Sequence, residues 1–287
     1  MFGLCGNTGS RGLIAGKTVM QISVVINTLN EESNIADCIQ SVAGLADEVL
    51  VCDMHSDDET ISIARDCGAR VLSYERTGFV EPARHFAISQ AAGEWVLVLD
   101  ADERLCSPLK EKLLEAVSDN SCNVVCFWSL CWFFGDWVYH GGFFNGDWSR
   151  FFRKSTYLET YSSQEEFVHG NFRNVRKSGK VLHLPKTCYI EHYAYPTIEK
   201  YITKTMGMYA RIEAAQILDN GRKFSLIKMF WEPLKEGAGR FLIRQGFRDG
   251  MRGFVLASLY AGFRFAVWAN VWFLCIEREK ESRAHER

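Results

Sequence analysis

The chain has 287 residues, 47% hydrophobic and 24% charged, enough for one large core with an appendage and too rich in core-forming side chains for disorder. Its formal net charge of -2 says little about partners, none of which is expected to be a nucleic acid, and it hides a locally basic stretch, residues 222–252, with eight Lys or Arg against Glu232, Glu236 and Asp249. The ten cysteines are scattered, several lie in apolar runs and none forms C-x-x-C, so they read as reduced buried thiols of a cytosolic protein; Cys122, Cys126 and Cys131 match no zinc spacing.

Residues 1–19 have no sustained apolar core or cleavage site and are read as a disordered lead-in, with Met20 a candidate start. The β-branched run 22–28 (ISVVINT) is a predicted strand, and NEESNIADCIQSV after it has apolar residues at helical spacing. The unit repeats as EVLVCD, the polar turn MHSDDET, the helical ISIARDCGA and the short strand RVLSY. A helix over Glu81–Ala92 leads into WVLVLDADERL, apolar on both faces as in a strand buried within a parallel sheet. Strands alternating with helices give a doubly wound α/β domain. Beyond Pro108 come aromatic-rich pieces and then KVLHLPKTCYIEHYAY, whose alternation predicts antiparallel strands added to the parallel core and an acceptor pocket beside them. A helical period returns over Thr197–Ile217.

In open parallel sheets ligands bind outside the carboxyl ends of the strands. The polar residues there are Thr28, Asn30 and Glu31 after the first strand, Asp53 after the second, and Asp100-Ala101-Asp102-Glu103 after WVLVL. No G-x-G-x-x-G or G-x-x-x-x-G-K occurs, so the glycines of a dinucleotide fold or P-loop are missing. Converging carboxylates repel a diphosphate but can hold Mg²⁺ or Mn²⁺, which neutralises it. The i, i+2 spacing of Asp100 and Asp102 puts both side chains on one side of an extended segment.

SVVINTLNEESNIADCIQSV, EVLVCDMHSDDET and EPARHFAISQAAGEWVLVLDADERL, in that order, resemble the family-2 inverting glycosyltransferases of GT-A fold. The resemblance implies that Thr28, Asn30, Glu31 and Asp53 face the nucleotide base and ribose, that Asp100 and Asp102 (with Ala101 between them) are the metal and diphosphate residues, and that Arg84 lies near the donor. The later half is similar to the lipopolysaccharide-core glucosyltransferase subgroup, in its Trp148–Arg153, Val168-His169-Gly170 and His192-Tyr193 segments. Gly170 stands where that subgroup has an acid, and glycine cannot take a proton. An inverting transfer needs a base for the acceptor hydroxyl, and Glu165, Glu166 and His169 are the candidates. His192 completes the metal site or contacts the diphosphate. Trp137, Tyr139 and Trp148 are the aromatic residues expected at the acceptor.

Arg240, Arg244, Arg248 and Arg252 recur at i+4, a basic stripe on a helix that suits an anionic bilayer surface. Phe254–Ile276 is 23 residues with one charge, Arg264, long enough to span at about 20 residues. A central arginine costs on the order of 3 kcal/mol, which favours helices lying in the interface.

The expected architecture is a GT-A, Rossmann-like α/β fold with a mostly parallel sheet flanked by helices over 20–222, followed by a helical membrane-associating tail over 223–287. The expected activity is metal-dependent inverting transfer of a hexose from a nucleotide sugar, a UDP-sugar in the first instance, to a saccharide or lipid-linked saccharide acceptor of the cell envelope. The expected place is the cytoplasm, peripheral on the inner face of the cytoplasmic membrane. The oligomeric state is left open. A polyprenyl phosphate acceptor would tolerate Gly170. A sugar nucleotidyltransferase would instead need a basic, glycine-rich loop where TLNEESN is acidic, and a non-enzymatic membrane scaffold would bind no metal-dependent nucleotide.

Overall fold

The computed structural model describes residues 21–76, 80–161 and 172–285. Its first half alternates β1 (Ile22–Thr28), α1 (Ile35–Ser41), β2 (Glu48–Asp53), α2 (Thr60–Asp66), β3 (Arg70–Ser73), α3 (Glu81–Gln90) and β4 (Trp95–Asp100). The β1–β2, β2–β3 and β1–β4 ladders are parallel, in the order β3-β2-β1-β4. All seven residues of β1 are buried, because helices cover both faces of the sheet. On one face Val24, Ile26, Leu97 and Leu99 pack with Ile35, Cys38 and Ile39 of α1. On the other Val25, Leu50, Val96 and Val98 pack with Ala83, Ala87 and Ile88 of α3.

The amino end of β1 is closed by a buried hydroxyl. Ser23 Oγ donates to Glu48 Oε2 (2.6 Å) and accepts from the Gly93 amide (2.8 Å). A Cβ on Gly93 would stand 2.6 Å from the Ser23 nitrogen, so this approach admits only glycine.

β5 (Glu103–Leu105), α4 (Ser107–Asp119), β6 (Val124–Phe133), β7 (Asp136–Val138), β8 (Asn145–Arg153), α5 (Lys154–Thr160), α6 (Arg173–Ser178), β9 (Val181–His183) and β10 (Tyr189–Tyr195) follow. The sheet is more mixed than the sequence implies. β8 inserts antiparallel between β4 and β6, but β9 and β10, expected to be antiparallel, both pair parallel to β6. Only against β5 does β10 run antiparallel. Alternation reports a half-buried strand, not its direction, and direction is set by the path of the connections. Because β10 lies between β5 and β6, it passes directly beside Asp102, whose carbonyl accepts from the Tyr193 amide at 2.9 Å.

A helix then runs through α7 (Ile198–Tyr201), a π-helical stretch (Ile202–Tyr209) and α8 (Ala210–Asp219). α9 (Leu226–Ala238) passes into a π turn (Gly239–Ile243), a 3-10 turn (Gly246–Asp249) and the long α10 (Gly250–His285). α10 packs on α8 and α9 through Phe263, Val267, Trp268 and Val271 against Ala210, Ala214 and Ile217. The segment Gly246–Lys280 is long and apolar enough to cross a membrane by length and composition. Arg264 lies in this packed face, donating to Glu213 of α8 and to Glu232 of α9 (2.8 Å), while Trp268 Nε1 also donates to Glu232 (2.7 Å).

The single basic stripe expected from Arg240, Arg244, Arg248 and Arg252 does not form. The chain leaves the helix after Ile243, Gln245 is left-handed (φ 57°), and α10 starts afresh at Gly250. Arg240 is buried, 3.5 Å from the centre of the Tyr260 ring, and donates to the Gly141 carbonyl (2.8 Å). Arg252 donates to Asp136 (3.2 Å). Only Arg244 and Arg248 are exposed. Spacing of four assumes an unbroken helix, and here the chain turns through Gln245 and through Gly250 (φ 61°), a backbone conformation glycine adopts readily.

Candidate functional site

β1, β2 and β4 end together, and the loops after them make the floor of a site. Residue 30 turns left-handed (φ 55°), a conformation asparagine tolerates better than most side chains. Its amide donates to Ser56 Oγ and its Oδ1 accepts from the Asp57 amide, both at 2.8 Å. The Glu31 amide donates to Thr60 Oγ1 (2.9 Å), and Glu31 Oε2 accepts from Asn34 Nδ2 (2.7 Å). Asp53 is buried and accepts from the amide (2.9 Å) and hydroxyl of Ser56. The acidic loop 54–58 is thus pinned to the ends of β1 and β2. Burial, reinforced by the charge of Asp102, raises the Glu31 carboxyl above its ordinary range.

Two polar side chains on β1 have unused hydrogen-bonding capacity. Thr28 Oγ1 and both amide atoms of Asn27 are buried without hydrogen-bond partners in the structure. Buried polar atoms are almost always paired, so these orphaned ones, at the strand ends beside Asp53 and Asp100, leave hydrogen-bonding capacity that a polar ligand would use.

The Asp-x-Asp segment divides its carboxylates between two environments. Asp100 Oδ1 accepts from Arg84 of α3 (2.6 Å) and Oδ2 from Arg150 of β8 (3.1 Å). Burial raises its pKa, but Arg150 and then Arg84 overcome that and hold it well below the carboxylate range. Arg150 also donates to Glu103 (2.8 Å) and stacks 4.1 Å from the centre of the Trp148 ring. Glu103 is fully buried and accepts from the Asp100 amide (2.9 Å). Burial pushes its carboxyl up against the pull of Arg150. Ala101 is buried between the two aspartates and contributes backbone alone.

Asp102, two residues on, meets no arginine among the described residues. Its Oδ1 lies 3.5 Å from His192 Nε2, while His192 Nδ1 lies 3.9 Å from Cys131 Sγ. Burial favours the neutral imidazole, but the charge and hydrogen bond of Asp102 raise the His192 pKa well above the ordinary histidine value. Trp148 stands edge-on to His192, with ring centres 6.2 Å apart. Lys204, on the π-helical stretch, is close enough for Asp102, Asp100 and Glu31 to raise its pKa despite burial, with Tyr209 adding the largest part.

A divalent cation fits Asp102 and His192 better than Asp100. Both oxygens of Asp100 are engaged by guanidinium groups, whereas Asp102 and His192 present an oxygen and a nitrogen side by side. No group of three or more His, Cys, Asp and Glu placed for a metal occurs among the described residues.

Of the expected acceptor aromatics, Trp148 is in the site, Trp137 packs edge-on against Tyr193 (5.3 Å), and Tyr139 is exposed. The candidate bases Glu165, Glu166 and His169, with Gly170, lie outside the described residues. Reading the sequence missed Arg150, Lys204 and Asn27. Arg150 lies within the Trp148–Arg153 segment, so a role for it was open to inspection; Lys204 carries no sequence signal.

The family model for "Glycosyl transferase family 2" matches residues 23–179. An uncharacterized glycosyltransferase of Rickettsia typhi is 30% identical over 250 residues, covering 85% of this chain and 84% of that one. The lipopolysaccharide core biosynthesis glycosyltransferase LpsC of Rhizobium meliloti is 25% identical over 264 residues, covering 88% and 92%. Among solved structures, S. aureus TarS in complex with UDP-GlcNAc superposes with a TM-score of 0.51 at 17% identity, covering 88% of this chain and 89% of that chain.

Proposed function

The chain belongs to glycosyl transferase family 2 and is a glycosyltransferase of GT-A fold, and from that premise we propose that it uses a nucleotide sugar and catalyses metal-dependent inverting transfer of a hexose from a UDP-sugar to a saccharide or lipid-linked saccharide of the cell envelope. The observation that carries the reading is the Asp102–His192 pair beside an Asp100 already clamped by Arg84 and Arg150. The nucleotide lies over the ends of β1 and β2, where Thr28, Asn27, Asn30, Glu31 and Asp53 supply polar atoms. The similarity to LpsC supports a lipopolysaccharide-core acceptor, and the UDP-GlcNAc complex of TarS supports a uridine nucleotide. Work at the inner face of the cytoplasmic membrane, from the cytoplasm, fits such an acceptor.

Asp102 and His192 would hold Mg²⁺ or Mn²⁺, which when bound neutralises the departing diphosphate. The protein's own residues do the rest. Arg84 and Arg150 fix Asp100 as a rigid anion on the floor, so that the strand end does not shift when the donor arrives. Lys204 brings a cation to the rim of the carboxylate cluster, where diphosphate charge develops. Trp148, held by Arg150, offers a flat ring beside His192 for a sugar face. The acceptor base is assigned to Glu165, Glu166 or His169. A screen of nucleotide sugars for metal-dependent release of free nucleoside diphosphate tests the reading. Release from one uridine diphosphate sugar, stimulated by a saccharide acceptor, is expected; no release from any of them overturns it.

A further inference from the structure

A run of exposed apolar side chains, without a partner among the described residues, lies on the opposite side of α9 from its packing with α10. Ile227 (79% exposed), Trp231 (61%) and Leu234 (66%) follow one another along α9 at helical spacing, and Ile243 (83%) and Met251 (75%) continue the apolar surface at the turn into α10. The turn is bound together by Phe241, whose ring meets Phe247 at 6.3 Å and Phe254 at 5.6 Å. Monomeric soluble surfaces rarely carry so many large apolar side chains in one run.

Charge says what covers them. Between residues 222 and 254 every exposed charged side chain is cationic: Arg222, Lys223, Lys228, Lys235, Arg244 and Arg248. The acidic residues of the same stretch are turned inward, Glu232 to Arg264 and Trp268, and Asp249 to His140 at 2.8 Å, while the partly exposed Glu236 lies 3.8 Å from Arg244. Exposed tryptophan and aliphatic residues flanked by lysine and arginine suit the headgroup boundary of an anionic bilayer, where apolar groups enter and cations stay with the phosphates.

We propose that this α9 face and the 241–254 turn, rather than the outer face of α10, form a monotopic lipid-binding surface that seats the protein on an anionic leaflet. The proposal rests on the reading of the protein as a transferase to an envelope acceptor and names the surface that acceptor shares. The same turn is joined to the site. Gly141 accepts from Arg240 and donates to the Arg244 carbonyl, both at 2.8 Å, and His140 pairs with Asp249. The loop they hold leads straight into β8, which carries Trp148 and Arg150. A lipid-linked acceptor in that leaflet would thereby be delivered at the β8 wall.

The test is sedimentation of the full-length protein with phosphatidylglycerol/phosphatidylethanolamine vesicles and with phosphatidylcholine vesicles, beside gel filtration. Two variants are compared: Ile227→Gln/Trp231→Gln/Leu234→Gln on α9, and Trp272→Gln/Phe273→Gln on the outer face of α10. Wild type should sediment with the anionic vesicles, the α9 variant should lose about 10-fold or more of that binding, and the α10 variant should stay close to wild type. Wild type remaining in the supernatant, equal loss in both variants, or a wild-type dimer that the α9 variant converts to monomer would each overturn it, the last by showing a second copy on the face. Nucleoside diphosphate release is measured on the same preparations without vesicles and should be equal in all three. Vesicle binding as expected with no release from any nucleotide sugar leaves the lipid surface standing and removes the transferase reading of the site.

Discussion

Asp100 and Asp102 look alike in the sequence and differ in what they can do. Two arginines own Asp100, and a histidine from a distant strand faces Asp102. Asp102→Asn should therefore leave the fold intact and lower metal-dependent turnover by roughly 100-fold or more, since an amide is a poor ligand for a hard cation. Direct Mn²⁺ titration by electron paramagnetic resonance should show weakened binding in Asp102→Asn and in His192→Ala; unchanged affinity in both would place the metal elsewhere. Arg150 makes a different prediction. Removing it leaves the buried Glu103 and Asp100 without their shared cation, so Arg150→Met should cost about 3 to 5 kcal/mol of stability, with Arg150→Lys recovering part. Thermal unfolding would check this, and a melting temperature equal to wild type would show that Glu103 is protonated and needs no partner.

At the scale of elements, α10 is instructive because composition alone reads it as a span. Arg264, the one charge in its apolar run, pairs with Glu213 and Glu232 inside the helical layer. Arg264→Gln should destabilise by about 2 kcal/mol, the usual worth of hydrogen bonds to a charged group, and differential scanning calorimetry should find the melting point lowered by several degrees. The same cluster sets an acid limit. Burial raises the Glu232 pKa, but hydrogen bonds from Arg264 and Trp268 together with the Arg264 charge bring it below the ordinary value of 4.5. A carboxyl depressed on folding contributes stability above its unfolded pKa and loses it as the pH falls through the folded one. Amide protection factors in α9 and α10, which are exchange rates corrected for the intrinsic rate at each pH, should thus be steady above about pH 4.5 and fall below it, and Glu232→Gln should flatten that dependence. A steep loss between pH 6 and 8 instead would point to another group.

For the whole molecule, the proposed donor site lies at the carboxyl ends of strands that run through the centre of the sheet, so ligand binding and global unfolding are linked. Nucleoside diphosphate with Mn²⁺ at 100 times its Kd should add about 2.7 kcal/mol and raise the melting temperature; nucleotide without metal should raise it much less, and equal shifts with and without metal would contradict the metal assignment. The sequence by itself determined the alternating α/β core and the strand-end residues Thr28, Asn30, Glu31, Asp53, Asp100 and Asp102, because β-branched runs buried on both faces must end in polar residues where the chain meets solvent. Glu165, Glu166 and His169 were legible only as titratable residues ahead of Gly170, and they lie outside the described residues. What only the tertiary structure decided are the pairings across long separations: His192 beside Asp102, Arg84 and Arg150 on Asp100, and Arg264 between two helices. It also decided that β9 and β10 run parallel to β6 and that the arginine stripe is broken at Gln245. Local periodicity records which side of an element is buried; it holds no information about which distant side chain lies opposite, since that depends on sheet order and on where the backbone turns.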